Sequence, residues 1–191
     1  MTGTPVEHTL GEPIGMVHGR FQPFHLGHLS LVRAALARFP LVLVGVTNAD
    51  AAHSTPEPTD PGRSAPDANP FTFTERALMI QNALWSERPG ATVVTPFPIS
   101  RPSLWDAYVP AGAVHLLRVF DEWGAEKVRR LRNAGHEVVV VDAGLAKGVS
   151  GTDVRRRIRE GGEWRALVPP AVARFIDELP EDRARAVRRP A

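Results

Sequence analysis

Residues 14–17 read Ile-Gly-Met-Val, an apolar run with no polar break. Such a run predicts a short strand buried on both faces. Beyond His28 the period changes. Leu29, Val32, Leu36 and Phe39 fall on one helical face, Arg33 and Arg38 lie off it, and Pro40 stops it. Residues 41–47 (Leu-Val-Leu-Val-Gly-Val-Thr) are again continuously apolar and predict a second strand covered on both faces.

Residues 48–70 break the pattern. They hold five prolines and many small or polar residues without an apolar period, which predicts a long loop. Thr72 and Glu75 then stand at capping-box spacing, and Ala77, Leu78, Ile80 and Leu84 supply the apolar face of a second helix. A third strand is expected at 92–97, followed by an extended loop forced by Pro96, Pro98 and Pro102. Residues 114–119 predict a fourth strand, 123–133 a helix ending at Gly135, and 137–141 a fifth strand. Thr152 is the expected cap of a helix over 153–160, closed by Gly161-Gly162. A last helix is expected from about Pro169 to Leu179, with its two prolines suited to a first turn. No internal repeat is present.

Strands alternating with helices imply an α/β class with a doubly wound, five-stranded parallel sheet and right-handed crossovers. The expected domain is single and spans 14–179. Residues 1–13 and 180–191 are expected to be flexible ends, because they are short, polar and rich in Pro, Gly or Arg.

Composition narrows the classes. The chain has 191 residues, 43% of them hydrophobic, enough for one sizeable core. It has no cysteine, which removes disulfides, Cys-ligated zinc and a Cys nucleophile. No apolar run approaches the roughly 20 residues of a membrane span. No basic start precedes an apolar core, so no signal peptide is expected and a cytoplasmic location is the default. A net charge of +2, with acidic residues interleaved among the C-terminal arginines, argues against nucleic acid as a partner.

The candidate chemistry lies between the first strand and the first helix, in His18-Gly-Arg-Phe-Gln-Pro-Phe-His-Leu-Gly-His28. A strand entering a glycine-bearing turn and then a helix is suited to phosphate, because the helix start presents unpaired N–H groups and partial positive charge. Gly19 and Gly27 permit close backbone approach to a ligand. His25 and His28 are three apart and share one side of a helical turn. The turn also falls at the carboxyl end of the sheet, where ligands of such folds bind.

This stretch resembles the HxGH signature of the nucleotidyltransferase superfamily, and Gly19-Arg-Phe-Gln-Pro-Phe-His-Leu-Gly-His28 is similar to archaeal-type nicotinamide-nucleotide adenylyltransferases. Ser150-Gly151-Thr152-Asp153-Val154-Arg155 resembles the superfamily's second motif, Ser-Gly-Thr-x-x-Arg. The resemblance runs from Gly15 to about Leu179 and includes Asn69-Pro-Phe-Thr72 and Gly161-Gly-Glu-Trp-Arg165. It implies a Rossmann-like nucleotidyltransferase fold with strand order 3-2-1-4-5 and C-terminal helices. It also implies attack by an acceptor's phosphate oxygen on the α-phosphorus of a nucleoside triphosphate, with release of pyrophosphate. No protein nucleophile is needed, and catalysis is mostly positioning and charge stabilisation.

On this resemblance His25, His28 and Arg155 are the catalytic candidates. Gly19, Arg20, Phe21, Gly27, Ser150, Gly151 and Thr152 are the triphosphate-binding candidates. Arg156, beside Arg155, reads as a surface residue. Magnesium is expected to arrive with the triphosphate, without a protein-only metal site. The implied partners are a nucleoside triphosphate and a small anionic acceptor, with no nucleic acid and no membrane, and homo-oligomerisation left open. Of the other histidines, His18 opens the first motif and is a candidate ligand contact, whereas His8, His53, His115 and His136 read as ordinary.

The acceptor pocket departs from the family. Trp105 is similar to the family's tryptophan that stacks on nicotinamide, with a core tryptophan as the open alternative. The family's acceptor-reading Asp and Asn are replaced by Pro98 and Pro102, with Arg101 between them. Its Ser-Gly-Asn-Pro after strand four is replaced by Val119-Phe-Asp-Glu-Trp-Gly124. Its basic residue before Pro-Phe-Thr is Ala68, for which Arg63 is a possible substitute. Arg101 and Arg118, with Trp105 and Arg63, are therefore the acceptor candidates. Divergent members of the family transfer CMP from CTP onto small phosphonates such as phosphonoformate, and this sequence is similar to that type. NAD synthesis from ATP and nicotinamide mononucleotide is the alternative. A non-catalytic nucleotide-binding module and an RNA-binding protein are disfavoured, the first by the intact phosphate motifs and the second by the charge balance.

Overall fold

β1 (Ile14–Gly19) lies at the centre of a five-stranded sheet with β2 (Leu41–Val46), β3 (Thr92–Pro96), β4 (Val114–Leu117) and β5 (Glu137–Val140). The structure is a computed structural model and describes residues 11–49, 58–59, 61–142 and 148–189. The expected N-terminal arm up to residue 10 and most of the first half of the 48–70 loop lie outside the described residues. All strand pairs are parallel and the order is β3-β2-β1-β4-β5. That is the order implied by the resemblance.

The continuous apolar runs are explained by what covers them. On β1, Ile14 and Met16 face one side and Val17 the other. On β2, Leu41 and Leu43 join the first side, and Val42, Val44 and Val46 the second. The second side packs against α1 (Leu26–Leu36), α2 (Phe73–Leu84), α4 (Gly151–Glu160), α5 (Pro170–Asp177) and α6 (Glu181–Arg188). The first side packs against α3 (Glu122–Asn133) and a 3-10 turn at Pro102–Ala107. Each fully buried aliphatic side chain contributes roughly 1.5–3 kcal/mol, so a strand apolar on both faces is stable only with both layers present.

The structure revises three expectations. The chain beyond Pro180 is not frayed up to residue 188. It forms α6, which buries Val187 and ties Arg183 to both carboxylate oxygens of Glu75, at 2.7 and 2.8 Å, and to the Pro70 carbonyl. That ion pair clamps α6 to the start of α2, where Glu75 also closes the capping box with Thr72. The inward face of α2 carries Arg76 and Met79, and Leu78 is exposed. The charge of Arg76 is tolerated because its donors meet four main-chain oxygens. Arg20 and Thr47 accept from Nη1 at 2.8 Å, Asn48 from Nη2 at 2.7 Å and Thr72 from Nε at 3.2 Å. The 48–70 loop contains 3-10 turns at Pro61–Ser64 and Pro66–Ala68 within its described part.

Candidate active site

The turn after β1 is short and strained. Phe21 takes a left-handed backbone, φ 52°, a conformation costing a non-glycine residue on the order of 1–3 kcal/mol. Burial of its ring offsets part of that cost. The turn continues through a cis Gln22–Pro23 peptide to His25, the N-cap of α1. The His25 backbone N–H donates to His28 Nδ1 at 3.3 Å, and the two imidazoles stack with centroids 3.6 Å apart and planes 22° apart. Since Nδ1 of His28 accepts, its neutral ring carries the proton on Nε2. Phe21 meets the His28 ring edge-on at 4.8 Å, and Phe24 stacks on it at 5.8 Å. Gly27 leaves room for this arrangement, because a Cβ there would sit 3.1 Å from the His25 ring.

The second motif packs onto this turn. Ser150 is the N-cap of α4, accepting from the Asp153 N–H at 3.1 Å and donating to Asp153 Oδ2 at 2.6 Å. The expected cap, Thr152, lies inside the helix, and its Oγ1 accepts from Arg155 Nη2 at 3.2 Å. Arg155 is buried, and its Nη1 donates to the Gln22 carbonyl at 2.8 Å. A Cβ on Gly151 would lie 2.9 Å from that same oxygen, so only glycine lets the two motifs meet this closely. Burial, then repulsion from Arg20 and Arg159, lowers Arg155 to about 10, with Asp67 opposing. It remains a cation at neutral pH. Arg156, one residue on, is half exposed and pairs with Glu160 at 2.8 Å.

Gln22 and Arg76 are positioning groups that sequence reasoning missed. The Gln22 amide bonds both backbone groups of Phe71 at 2.9 Å, tying the first turn to the Pro-Phe-Thr segment. Arg76 anchors the carbonyls of Arg20 and Thr47, at the ends of β1 and β2. Burial and the charge of Arg20 lower it to about 10, with Glu75 opposing, so Arg76 also stays charged.

These groups surround a cavity of about 410 Å³. Its lining includes Gly19, Arg20, Phe21, His25, Gly27, His28, Ser150, Gly151, Thr152 and Arg155, every residue expected in the two phosphate motifs. Of the expected acceptor residues whose side chains the structure describes, Arg118 alone lines it. Arg118 donates to the Gly27 carbonyl at 2.9 Å, to Ser30 Oγ at 3.0 Å and to Asp142, so its guanidinium braces the His25–His28 loop. Arg101 is exposed and outside the cavity. The Pro98 carbonyl accepts its backbone N–H at 2.8 Å, which turns the segment outward. Trp105 is 1% exposed, and its indole N–H donates to the Pro98 carbonyl at 2.9 Å. It packs behind Phe97 as a core residue, which decides between the two alternatives of the sequence. The side chain of Arg63 lies outside what the structure describes. The remaining wall comes from β4 and α3, and includes Phe120, Trp123 and Lys127. Their one sequence signal is the i, i+4 spacing of Trp123 and Lys127.

A family model described as cytidylyltransferase-like matches residues 16–157, and the chain belongs to that family. It is a nucleotidyltransferase. It is 44% identical over 166 residues to a phosphonoformate cytidylyltransferase of Streptomyces viridochromogenes, covering 86% of this chain and 90% of the relative. It is 35% identical over 165 residues to a nicotinamide-nucleotide adenylyltransferase of Picrophilus torridus, covering 84% and 88%. Among solved structures, it is similar to a bifunctional NMN adenylyltransferase/ADP ribose pyrophosphatase from Francisella tularensis, with a TM-score of 0.64 and 19% identity. That match covers 92% of this chain and 52% of the longer protein, and it supports the fold alone. No helix among the described residues is long and apolar enough to cross a membrane.

Proposed function

We propose that the protein transfers CMP from CTP to a small phosphonate of the phosphonoformate type. A phosphonate oxygen attacks the α-phosphorus. The new P–O bond forms as the α–β bridging P–O bond breaks, and pyrophosphate leaves with the electron pair. The stacked pair His25 and His28 donates to oxygens that gain charge at the α-phosphorus. Arg155, the α4 N-terminus and Arg20 hold the leaving pyrophosphate. No protein nucleophile takes part.

Magnesium is part of this reading as a companion of the triphosphate. Among the described residues no group of three or more His, Asp or Glu could hold a metal ion. The phosphate oxygens themselves would be its ligands, where it neutralises charge on the triphosphate.

The observation that carries the choice of acceptor is Trp105. With its indole sealed behind Phe97 and its N–H committed to Pro98, it has no exposed face for a nicotinamide ring. The likeness to the Streptomyces relative points the same way. The test is a matrix of CTP and ATP against phosphonoformate and nicotinamide mononucleotide, scored by pyrophosphate release and product mass. CMP-phosphonoformate as the efficient product is expected. Efficient NAD formation from ATP would replace this reading with the adenylyltransferase one.

A further inference from the structure

Arg118 was expected from the sequence to grip the acceptor. It lines the cavity, yet it directs its donors into the protein. A guanidinium has five N–H donors. Nε and Nη2 donate to Asp142 Oδ2, Nη1 to the Gly27 carbonyl at 2.9 Å, and Nη2 also to Ser30 Oγ at 3.0 Å. The Asp142 carboxylate balances the charge, and the Arg118 side chain is only 16% exposed. An acceptor anion would meet a neutralised and largely committed group.

The partners show where Arg118 acts. Gly27 and Ser30 stand on either side of His28 in the opening turns of α1. A Cβ on Gly27 would lie 3.1 Å from the His25 ring, so the backbone that Arg118 holds packs against that imidazole. The His25 ring in turn stacks on His28. Arg118 itself directly follows β4, and Asp142 follows β5, the strand paired with it. Asp142 takes a left-handed backbone, φ 53°, which Asp tolerates better than most residues. The guanidinium thus fastens the start of α1 to the ends of two neighbouring strands.

We propose that Arg118 and Asp142 form a positioning clamp for the His25–His28 turn, and that Arg118 sets turnover and not acceptor affinity. This rests on the reading that His25 and His28 donate to oxygens at the α-phosphorus. Donors that act by placement lose their effect when the backbone carrying them shifts, and a misplacement of about 1 Å can cost about 100-fold in rate.

The test is steady-state kinetics with CTP and phosphonoformate for the wild type, Arg118→Met, Arg118→Lys, Asp142→Asn and the double variant Arg118→Met/Asp142→Asn. Arg118→Met is expected to lower kcat about 100-fold with both KM values within about 3-fold. Arg118→Lys should recover part of kcat, because an ammonium can still donate to some of these oxygens. Asp142→Asn should lower kcat about 5-fold, since the bonds to Gly27 and Ser30 remain. The double variant should match Arg118→Met, because Asp142 acts only through the guanidinium.

The acceptor KM of Asp142→Asn separates a clamp from a binding role. That change leaves a less neutralised cation at the cavity wall. If Arg118 bound the acceptor, its KM would fall, whereas a clamp leaves it unchanged. A selective change of the acceptor KM in any variant overturns the proposal. So do unmoved kcat values, and so do losses that multiply in the double variant. If Arg118→Met fails to fold, Asp142→Asn decides, since its carboxylate is 37% exposed. A wild type that uses ATP and nicotinamide mononucleotide instead is tested on those substrates, because the clamp does not depend on the acceptor. Near-normal turnover in His28→Ala overturns both the clamp and the reading it rests on. A severe loss in His28→Ala beside an unmoved Arg118→Met overturns the clamp alone.

Discussion

Arg155 Nη1 donates to the Gln22 carbonyl across 133 residues of sequence, so the second phosphate motif is anchored directly on the first. The guanidinium therefore has two tasks. It presents charge to the cavity and it fixes the turn that carries His25. Arg155→Ala should lower kcat/KM for the triphosphate at least about 100-fold. It should also cost roughly 1–3 kcal/mol of stability, because a buried carbonyl loses its donor. Arg156→Ala removes only exposed pairs with Glu160 and, more distantly, Asp153, and its stability should change by under about 0.5 kcal/mol with kcat unaltered. Pyrophosphate-release kinetics and urea melts check both. Equal and severe losses would show that α4 does not present Arg155 alone to the cavity.

His28 should matter for turnover far more than for folding. It lines the cavity, and its ring accepts the His25 N–H. His28→Ala should reduce kcat by about 100-fold or more. The lost cap interaction should cost about 1 kcal/mol. Rapid-quench mass spectrometry should find no nucleotidylated protein in wild type or variant. Near-normal turnover, or a trapped covalent adduct, would contradict the proposed displacement.

The two phosphate motifs were legible in the sequence because their information is local. A strand, a glycine turn and a helix start place His25 and His28 together through spacing alone. Ser150-Gly-Thr does the same at α4. The acceptor side was not legible because it depends on long-range packing. Nothing near Trp105 in sequence says that Phe97 closes over it or that Pro98 takes its N–H. For Trp123 and Lys127 the sequence predicts only a helix, and nothing local in it says that both line the cavity. Arg76 stands in an apolar helical face as if it were an error. The strand-end carbonyls that satisfy it come from 28 and 29 residues away and more. α6 was missed for a similar reason, since the Arg183–Glu75 pair spans 108 residues.

Arg101 and Trp105 should now behave oppositely to an acceptor-binding pair. Arg101→Ala should leave the KM of both substrates within about 2-fold, because its side chain is exposed and outside the cavity. Trp105→Ala should cost roughly 3–5 kcal/mol of stability by leaving a cavity in the core. At a temperature where the variant stays folded, its acceptor KM should be close to wild type. A selective rise in acceptor KM in either variant would return that residue to the acceptor site.

Acid should destabilise the fold through His115. This histidine lies on β4, fully buried, between Phe97, His18 and His136. Burial, then the neighbouring His136, pushes it down from 6.5 to about 3. Its folded form is thus neutral at any pH that the protein normally meets. In the unfolded chain it takes a proton near pH 6.5. A depressed folded value means that the unfolded state binds more protons between these limits, so stability falls as pH drops from about 6.5 toward 3. Between pH 7 and pH 4.5 the linkage amounts to roughly 2–3 kcal/mol. His115→Phe keeps an aromatic ring among these neighbours and removes the titration. The other histidines are the same in both proteins, so the comparison isolates His115. Urea unfolding at the two pH values should show the wild type losing about 2 kcal/mol more than His115→Phe on acidification. Equal losses in the two proteins would mean that His115 is not held neutral by its burial.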